Sequence, residues 1–173
     1  MNELASDERR RVLLTVASSL LLSGTFWRRV NAAEEFTIDM ASPSSGSHVW
    51  FRPRGLHIQP GQTVRWVNTD VGNVHTVTAY HPDNRKPQRI PTDTAAWDSG
   101  YLLPDAAFTM VFITPGIYDY FCIPHEQAGM VGRIIVGDID AVEPYGKTDS
   151  LLPEKALSGF PAVTTILEHG RVD

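Results

Sequence analysis

The side chains of clearest chemical interest in this sequence are those of its single cysteine and of two residues that follow it. Cys122 is followed by His125 and Met130 in the segment YDYFCIPHEQAGMVGRIIV. A lone thiol cannot form a disulfide within the chain. A thiolate, an imidazole and a thioether are instead donors that suit copper, and a second imidazole completes the trigonal His2Cys set with a weak axial Met. The candidate for that second imidazole is His75.

The spacing of these residues has a physical reason. A strand that ends at Cys122 leads into a tight loop containing Pro124 and Gly129, so His125 and Met130 can turn back toward one point. Three ligands then lie on one hairpin, and the fourth comes from a neighbouring strand. A rigid loop of this kind keeps the ligands in place when an electron arrives or leaves.

The segment resembles the copper loop of the plastocyanin and pseudoazurin branch of the cupredoxins, including the halocyanins. The resemblance covers about residues 35 to 137 and continues outside the loop in FRPRGLHIQPGQTVRWVN, WDSGYL and FTMVFITPGIYDYFC. It implies a blue copper electron carrier that holds one copper ion as Cu(I) or Cu(II). The ligands carried over by the resemblance are His75, Cys122, His125 and Met130.

Two residues beside these ligands depart from the family pattern. Thr76 follows His75 where many relatives carry Asn, and Ile123 follows Cys122 where a hydroxyl residue is common. Hydrogen bonds to the thiolate sulfur are one of the protein's main controls over a metal site. The departures therefore lie at positions that help to set the reduction potential of the site.

Short alternating runs separated by turn residues begin at Phe36 and predict strands rather than helices. In the first run Phe36, Ile38 and Met40 alternate with polar residues, and the turn QPGQ precedes a second run, TVRWVN. About eight strands in about 100 residues predict an all-β, antiparallel Greek-key β-sandwich of the cupredoxin type over 34–137.

Two stretches lie outside this strand pattern. The polar, proline-rich stretch 81–97 is longer than a hairpin needs and is expected to form a surface loop beside the metal end. Its charges Arg85, Lys86 and Arg89 fit a solvated face better than contact with an acidic partner. His81 is a candidate fifth ligand, which the four-residue set makes less favoured because that set already suits copper.

The C-terminal extension, 138–173, predicts two short helices packed on the sandwich. Pro153 fits the first turn of one helix, apolar residues recur at helical spacing after it, and Gly170 is a predicted stop. A structural role is expected for this extension, and Lys155 within it is expected to lie far from the metal loop.

Residues 1–33 predict a signal peptide. Three arginines precede an apolar run over 12–22, and small residues place cleavage after Ala32 or Ala33. Two arginines before apolar residues also resemble a twin-arginine signal. An uncleaved anchor over 12–27 is the alternative, although about 16 residues are short for the roughly 20 that span a bilayer. The mature protein is expected in the periplasm or otherwise outside the cytoplasm.

Composition limits the classes of function. The chain has 173 residues and a net charge of −5, enough for one domain with extensions. Its scattered basic residues give no footprint for nucleic acid. The sequence favours a monomeric one-electron carrier that does not span the membrane. The alternative is copper storage or delivery through Cu(I) at the same ligands. Delivery favours sites rich in Met or His, and the whole chain has only four methionines, so this alternative is less favoured.

A catalytic copper enzyme is the third hypothesis, and it needs an open coordination position or a second metal centre that the sequence does not provide. For the favoured carrier, redox partners are expected to dock at the edge of His125. The expected surround of that edge is uncharged and consists of Pro124, Ala128, Gly129 and Val131.

Overall fold

The computed structural model describes residues 34–43, 48–140 and 145–173. The predicted signal peptide at 1–33 lies outside these residues. The described strands are β1 (Glu35–Ala41), β2 (Trp50–Arg52), β3 (Gly55–Ile58), β4 (Thr63–Asn68), β5 (Thr78–Ala79), β6 (Ala107–Val111), β7 (Gly116–Phe121), β8 (Val131–Val136) and β9 (Arg171–Val172). The α-helices are α1 (Glu154–Gly159) and α2 (Val163–His169), and short 3₁₀ helices span Pro82–Asn84, Ile123–Ala128 and Gly146–Leu151.

The strands form two sheets, which confirms the predicted β-sandwich. The first sheet has the order β2-β1-β4-β6, and the second has the order β5-β7-β8-β3-β9. Most neighbours are antiparallel, but β1 and β4 are parallel, as are β3 and β8. The sheets are therefore mixed rather than antiparallel throughout. Alternation of apolar residues reports which face of a strand is buried and contains no information about the direction of its partner.

An aromatic core joins the two sheets. Trp66 on β4 contacts Tyr120 on β7 edge to face, with ring centroids 5.4 Å apart. Phe51 on β2 contacts the same tyrosine at 4.8 Å. All three rings are fully or almost fully buried. Such contacts stabilise a core beyond the burial of area alone, and they fix β7, the strand that ends just before Cys122.

The C-terminal extension packs on the second sheet, as the sequence predicts. α2 ends at Gly170, whose φ of 72° is left-handed, and β9 then adds to the edge of β3. β3 accepts the extension closely, because a Cβ at Gly55 would lie 2.7 Å from Pro161 Cγ and 2.8 Å from Ile166 Cγ1. The strand β9 was not predicted, since two residues are too few for a periodic pattern.

A buried ionic network ties the extension to the sandwich and corrects one expectation. Arg89 is not on a solvated face: it is 3% exposed, and it donates to Asp119 at 3.0 Å and to Asp149 at 2.7 Å. Arg133 donates to both carboxylate oxygens of Asp119, at 2.7 and 3.0 Å. Burial of these charges requires such pairing, and sequence alone does not reveal the partners.

No helix within the described residues is both long enough and apolar enough to cross a bilayer.

Candidate metal centre

The predicted metal loop closes through backbone hydrogen bonds at the end of β7. The Cys122 N–H donates to Met130 O at 3.0 Å, and the Met130 N–H donates to His125 O at 3.1 Å. Between them the chain forms the 3₁₀ helix Ile123–Ala128, which ends at Gly129 with a φ of 90°. Glycine adopts this left-handed conformation without steric cost. The turn thus returns the chain to β8 with three candidate ligands on one hairpin.

The cysteine and two histidines bring their donor atoms to one point. Cys122 Sγ lies 3.4 Å from His125 Nδ1 and 3.6 Å from His75 Nδ1, and the three donors all lie within 4.8 Å of one another. Thiolate and imidazole bonds to a divalent metal such as zinc measure about 2.0 to 2.3 Å, so trigonal ligands are about 3.5 to 4 Å apart. The arrangement therefore fits a mononuclear site without movement of the backbone.

Met130 and His75 are both buried and are both held by backbone hydrogen bonds. Met130 is fully buried in the main core and is bonded through its backbone to both Cys122 and His125. His75 is fully buried and is held by paired backbone hydrogen bonds with Leu102, at 3.2 and 2.8 Å. His75 thus lies in an isolated bridge with Leu102, shortly before β5, and not on the regular strand that was expected. β5 itself adjoins β7.

The sulfur of Cys122 accepts a hydrogen bond from Thr76. The Thr76 N–H lies 3.3 Å from Sγ, while the Thr76 hydroxyl accepts the Ile123 N–H at 2.8 Å. The two residues that depart from the family pattern thus contact each other. Thr76 thereby connects the sulfur of Cys122 to the backbone of the residue that follows it.

Burial favours neutral side chains in the metal-free site. It raises the pKa of the Cys122 thiol to about 11, although the hydrogen bond from Thr76 opposes this change. Burial also lowers the pKa of His75 and of His125, and for His125 the neighbouring His75 adds to the effect. Metal binding must then release the thiol proton, since thiolate is the form that binds.

The outer nitrogen of His75 has a partner that the sequence analysis missed. His75 Nε2 lies 3.1 Å from Asp70 Oδ2, and Asp70 is 5% exposed. Burial by itself would raise the pKa of Asp70, but hydrogen bonds from Ser42, Asn73, Gly72 and His75 together hold it well below its usual value. The signal available in the sequence was an acidic residue, Asp70, five residues before the predicted ligand His75.

His81, the candidate fifth ligand, has another contact. Its Nδ1 accepts the Asp83 N–H at 3.1 Å and so caps the 3₁₀ helix Pro82–Asn84. Within the part of the chain that the structure describes, the cluster with metal-ligand spacing contains His75, Cys122 and His125. His81 is not a member of it.

The exposed residues beside His125 carry no charge, and one predicted member of this surround is corrected. His125 is half-buried, and Ile123, Pro124 and Ala128 beside it are exposed. Val131 is instead buried beneath the extension.

Glu126, the one acid in the loop, is 5% exposed, and it accepts hydrogen bonds from the Tyr80 hydroxyl at 2.9 Å and from Lys86. Lys86 therefore lies against the loop.

Comparison with known proteins identifies the family of this chain. Residues 38–137, more than half of the chain, match the model of copper binding proteins of the plastocyanin/azurin family. A plastocyanin from Synechococcus sp. is 32% identical over 136 residues, which cover 72% of this chain and 91% of the relative. The chloroplastic plastocyanin of Tetradesmus obliquus is 35% identical over 86 residues, which cover 50% of this chain and 57% of the relative.

A solved structure agrees with the fold. A pseudoazurin from Sinorhizobium superposes with a TM-score of 0.52 at 24% identity, and the match covers 79% of this chain and 98% of the pseudoazurin. The sandwich with its cluster of one thiol and two imidazoles defines a cupredoxin-type copper protein. The chain belongs to the copper binding proteins of the plastocyanin/azurin family, and its metal is copper, as predicted.

Proposed function

We propose that this protein is a one-electron carrier with a mononuclear type 1 copper site formed by His75, Cys122, His125 and Met130. The observation that supports it best is the approach of Cys122 Sγ to the Nδ1 atoms of the two histidines, at 3.4 and 3.6 Å. Copper bound there would supply a couple between Cu(I) and Cu(II). The chain residues hold the donors, exclude water and connect the site to a partner.

The rigidity of the surroundings supports electron transfer. Cys122, His75 and Met130 are fully buried, and backbone bonds fix the loop between Cys122 and Met130. Close packing leaves the donors little freedom to move. Such a site changes little in geometry when its charge changes, and the burial of three of its four donors limits the approach of a substrate. These properties favour a carrier over an enzyme.

Copper storage or delivery at the same four residues is the second candidate function. Delivery requires a partner's ligand to reach the metal while the first ligands leave. Here the thiol and thioether are buried in the core, and the accessible donor is the half-buried His125. The structure therefore favours the carrier.

A redox partner is proposed to dock on the exposed apolar residues beside His125. Ile123, Pro124 and Ala128 carry no charge, and Glu126 is turned inward and bonded to Lys86. Transient electron-transfer contacts are small, below about 1,200 Å² in total. An uncharged patch that surrounds one ligand edge suits such a short-lived contact between the partner and a monomer.

The protein is further proposed to be exported, with residues 1–33 as its signal peptide, 34–137 as the copper domain and 138–173 as an added extension. The arginine-rich start and the apolar run that follows it support export. A location in the periplasm or elsewhere outside the cytoplasm follows from this proposal.

The carrier proposal is tested by redox titration of the copper-loaded protein. A carrier gives a fully reversible one-electron transition, with 59 mV for each tenfold change in the ratio of oxidised to reduced protein. The absorption of the oxidised form is the signal, and repeated cycles should leave the copper bound. Copper lost on oxidation, with tight retention of Cu(I) alone, would support storage instead.

A further inference from the structure

The buried carboxylate of Asp70 is attached to the side of His75 that faces away from the cysteine. The imidazole presents Nδ1 to Cys122 Sγ at 3.6 Å and Nε2 to Asp70 Oδ2 at 3.1 Å. Both side chains are buried, at 0% and 5% exposure. The ring thus has a contact at each of its two nitrogens, one toward the candidate site and one toward the carboxylate.

Other contacts of the carboxylate determine which partner donates. Asp70 Oδ1 accepts the Gly72 N–H at 2.9 Å, and Oδ2 accepts from the Asn73 side-chain amide at 2.9 Å. A carboxyl group that already accepts two N–H donors is best described as ionised, and an ionised carboxylate can only accept hydrogen bonds. The hydrogen on the imidazole then lies on Nε2 of His75, and the lone pair of Nδ1 points toward Cys122.

Asp70 itself is held by a closed set of hydrogen bonds. Its N–H donates to Asn68 Oδ1 at 3.0 Å, and Asn68 Nδ2 donates to Leu102 O at 2.9 Å. Leu102 in turn exchanges backbone hydrogen bonds with His75. The carboxylate and the imidazole are therefore fixed relative to each other by three bonded segments, which contain Asn68, His75 and Leu102. Asn68 is fully buried among them.

We propose that Asp70 is a positioning residue for His75, which fixes the Nε2–H tautomer, increases electron donation from Nδ1 and thereby lowers the reduction potential of the copper site. This inference rests on the proposed function, because it concerns a ligand of that site. A carboxylate that accepts the outer N–H of a metal-bound histidine raises the basicity of that ligand. Added donation stabilises Cu(II) more than Cu(I), because Cu(II) carries the greater charge.

Asp70→Asn tests the charge while it keeps an oxygen that accepts from His75. Loss of such a partner costs about 10- to 100-fold in metal affinity. If Cu(II) affinity falls tenfold more than Cu(I) affinity, the potential rises by 59 mV. The matched control is Asp105→Asn, which removes the same charge from an exposed residue whose φ of 64° suits asparagine. The control should keep the wild-type potential.

The tautomer of His75 is measured independently by nitrogen NMR of the metal-free wild-type protein. A hydrogen on Nε2 agrees with the proposal, and a hydrogen on Nδ1 overturns it, whether or not any variant folds. A wild-type potential in Asp70→Asn also overturns it. These results are separate from the proposed function, which fails only if the wild type gives no reversible copper couple.

Discussion

Gly129 of the metal loop lies directly against Lys155 of α1. A Cβ at Gly129 would be 2.8 Å from the Lys155 carbonyl oxygen, and a Cβ at Gly159 would be 2.8 Å from the Gly129 carbonyl oxygen. The sequence led us to expect Lys155 far from the loop, and that expectation is wrong. The C-terminal extension instead covers one side of the loop, so that its packing contributes to the rigidity of the candidate site.

Gly159→Ala should destabilise the metal-free protein by about 1 kcal/mol. The added methyl group would meet Gly129 O and Val131 Cγ2, both at 2.8 Å, and overpacking of this kind costs about 1 to 3 kcal/mol. Alanine's better helix propensity offsets up to about 1 kcal/mol of that cost. Urea unfolding measures the difference. Gly146→Ala is the control, because its nearest contact would be 4.0 Å away at Asp149; equal stabilities of all three proteins would mean that α1 is not packed on the loop.

Met130→Leu should keep the blue colour and raise the potential by roughly 59 mV, which is one decade in the relative affinity for the two oxidation states. Loss of the thioether removes a donor that benefits Cu(II) more than Cu(I). Met130→Gln should lower the potential, because an amide oxygen is a harder donor that suits Cu(II). Voltammetry of the three proteins measures both shifts. If neither variant moves the potential, Met130 is a core residue and its assignment as a ligand is wrong.

Ala128→Lys should slow electron exchange with the redox partner about tenfold or more, with colour and potential nearly unchanged. Burial of an unpaired ammonium in an apolar contact costs more than the 1.4 kcal/mol or so that a tenfold rate change represents. Stopped-flow kinetics with the partner measures the rate.

The matched control for that experiment is Gln59→Lys, which adds the same charge at an exposed turn. Gln59 directly follows β3, whose last residue, Ile58, pairs with the C-terminal end of β8 beside Gly116. Since β7 runs for six residues from Gly116 toward the metal loop, the turn is about 20 Å away. Equal rates for both variants would mean that electrons enter elsewhere.

Export predicts a mature N-terminus near Ala33 or Glu34, which mass spectrometry of the native protein would detect. Replacement of Arg10 and Arg11 by Lys should block export if the twin-arginine route is used. Undiminished export of that variant would point to the general secretory route, and a protein that retains Met1 in the membrane would support the anchor.

The sequence predicted the parts of this structure that depend on local pattern. Alternating runs such as TVRWVN indicate half-buried strands without knowledge of their partners. The spacing of Cys122, His125 and Met130 identifies the loop because the hairpin itself brings them together. The distant His75 was found because the ligand set required one more imidazole, and its Nδ1 lies 3.6 Å from Cys122 Sγ.

The features that sequence did not predict depend on contacts between distant segments. In the sequence Asp70 is one acidic residue of a loop. Its contact with His75 depends on the turn that contains Gly72, whose N–H bonds to the Asp70 carboxylate. Arg89 lies in a polar stretch that predicts a solvated residue. Its burial depends on Asp119 and on the C-terminal extension, which are distant in sequence. The packing of α1 on Gly129 depends on the path of the whole C-terminal segment, which no short-range pattern encodes.

Thiolate coordination of copper is tested by the absorption spectrum of the mature protein with added Cu(II). We predict an intense visible band from charge transfer between the Cys122 thiolate and Cu(II), with one copper bound per chain. Cys122→Ser should lose the band but keep the β-sandwich, as judged by far-ultraviolet circular dichroism. A colourless wild-type protein, or an equally intense band in Cys122→Ser, would rule out coordination of copper by the Cys122 thiolate.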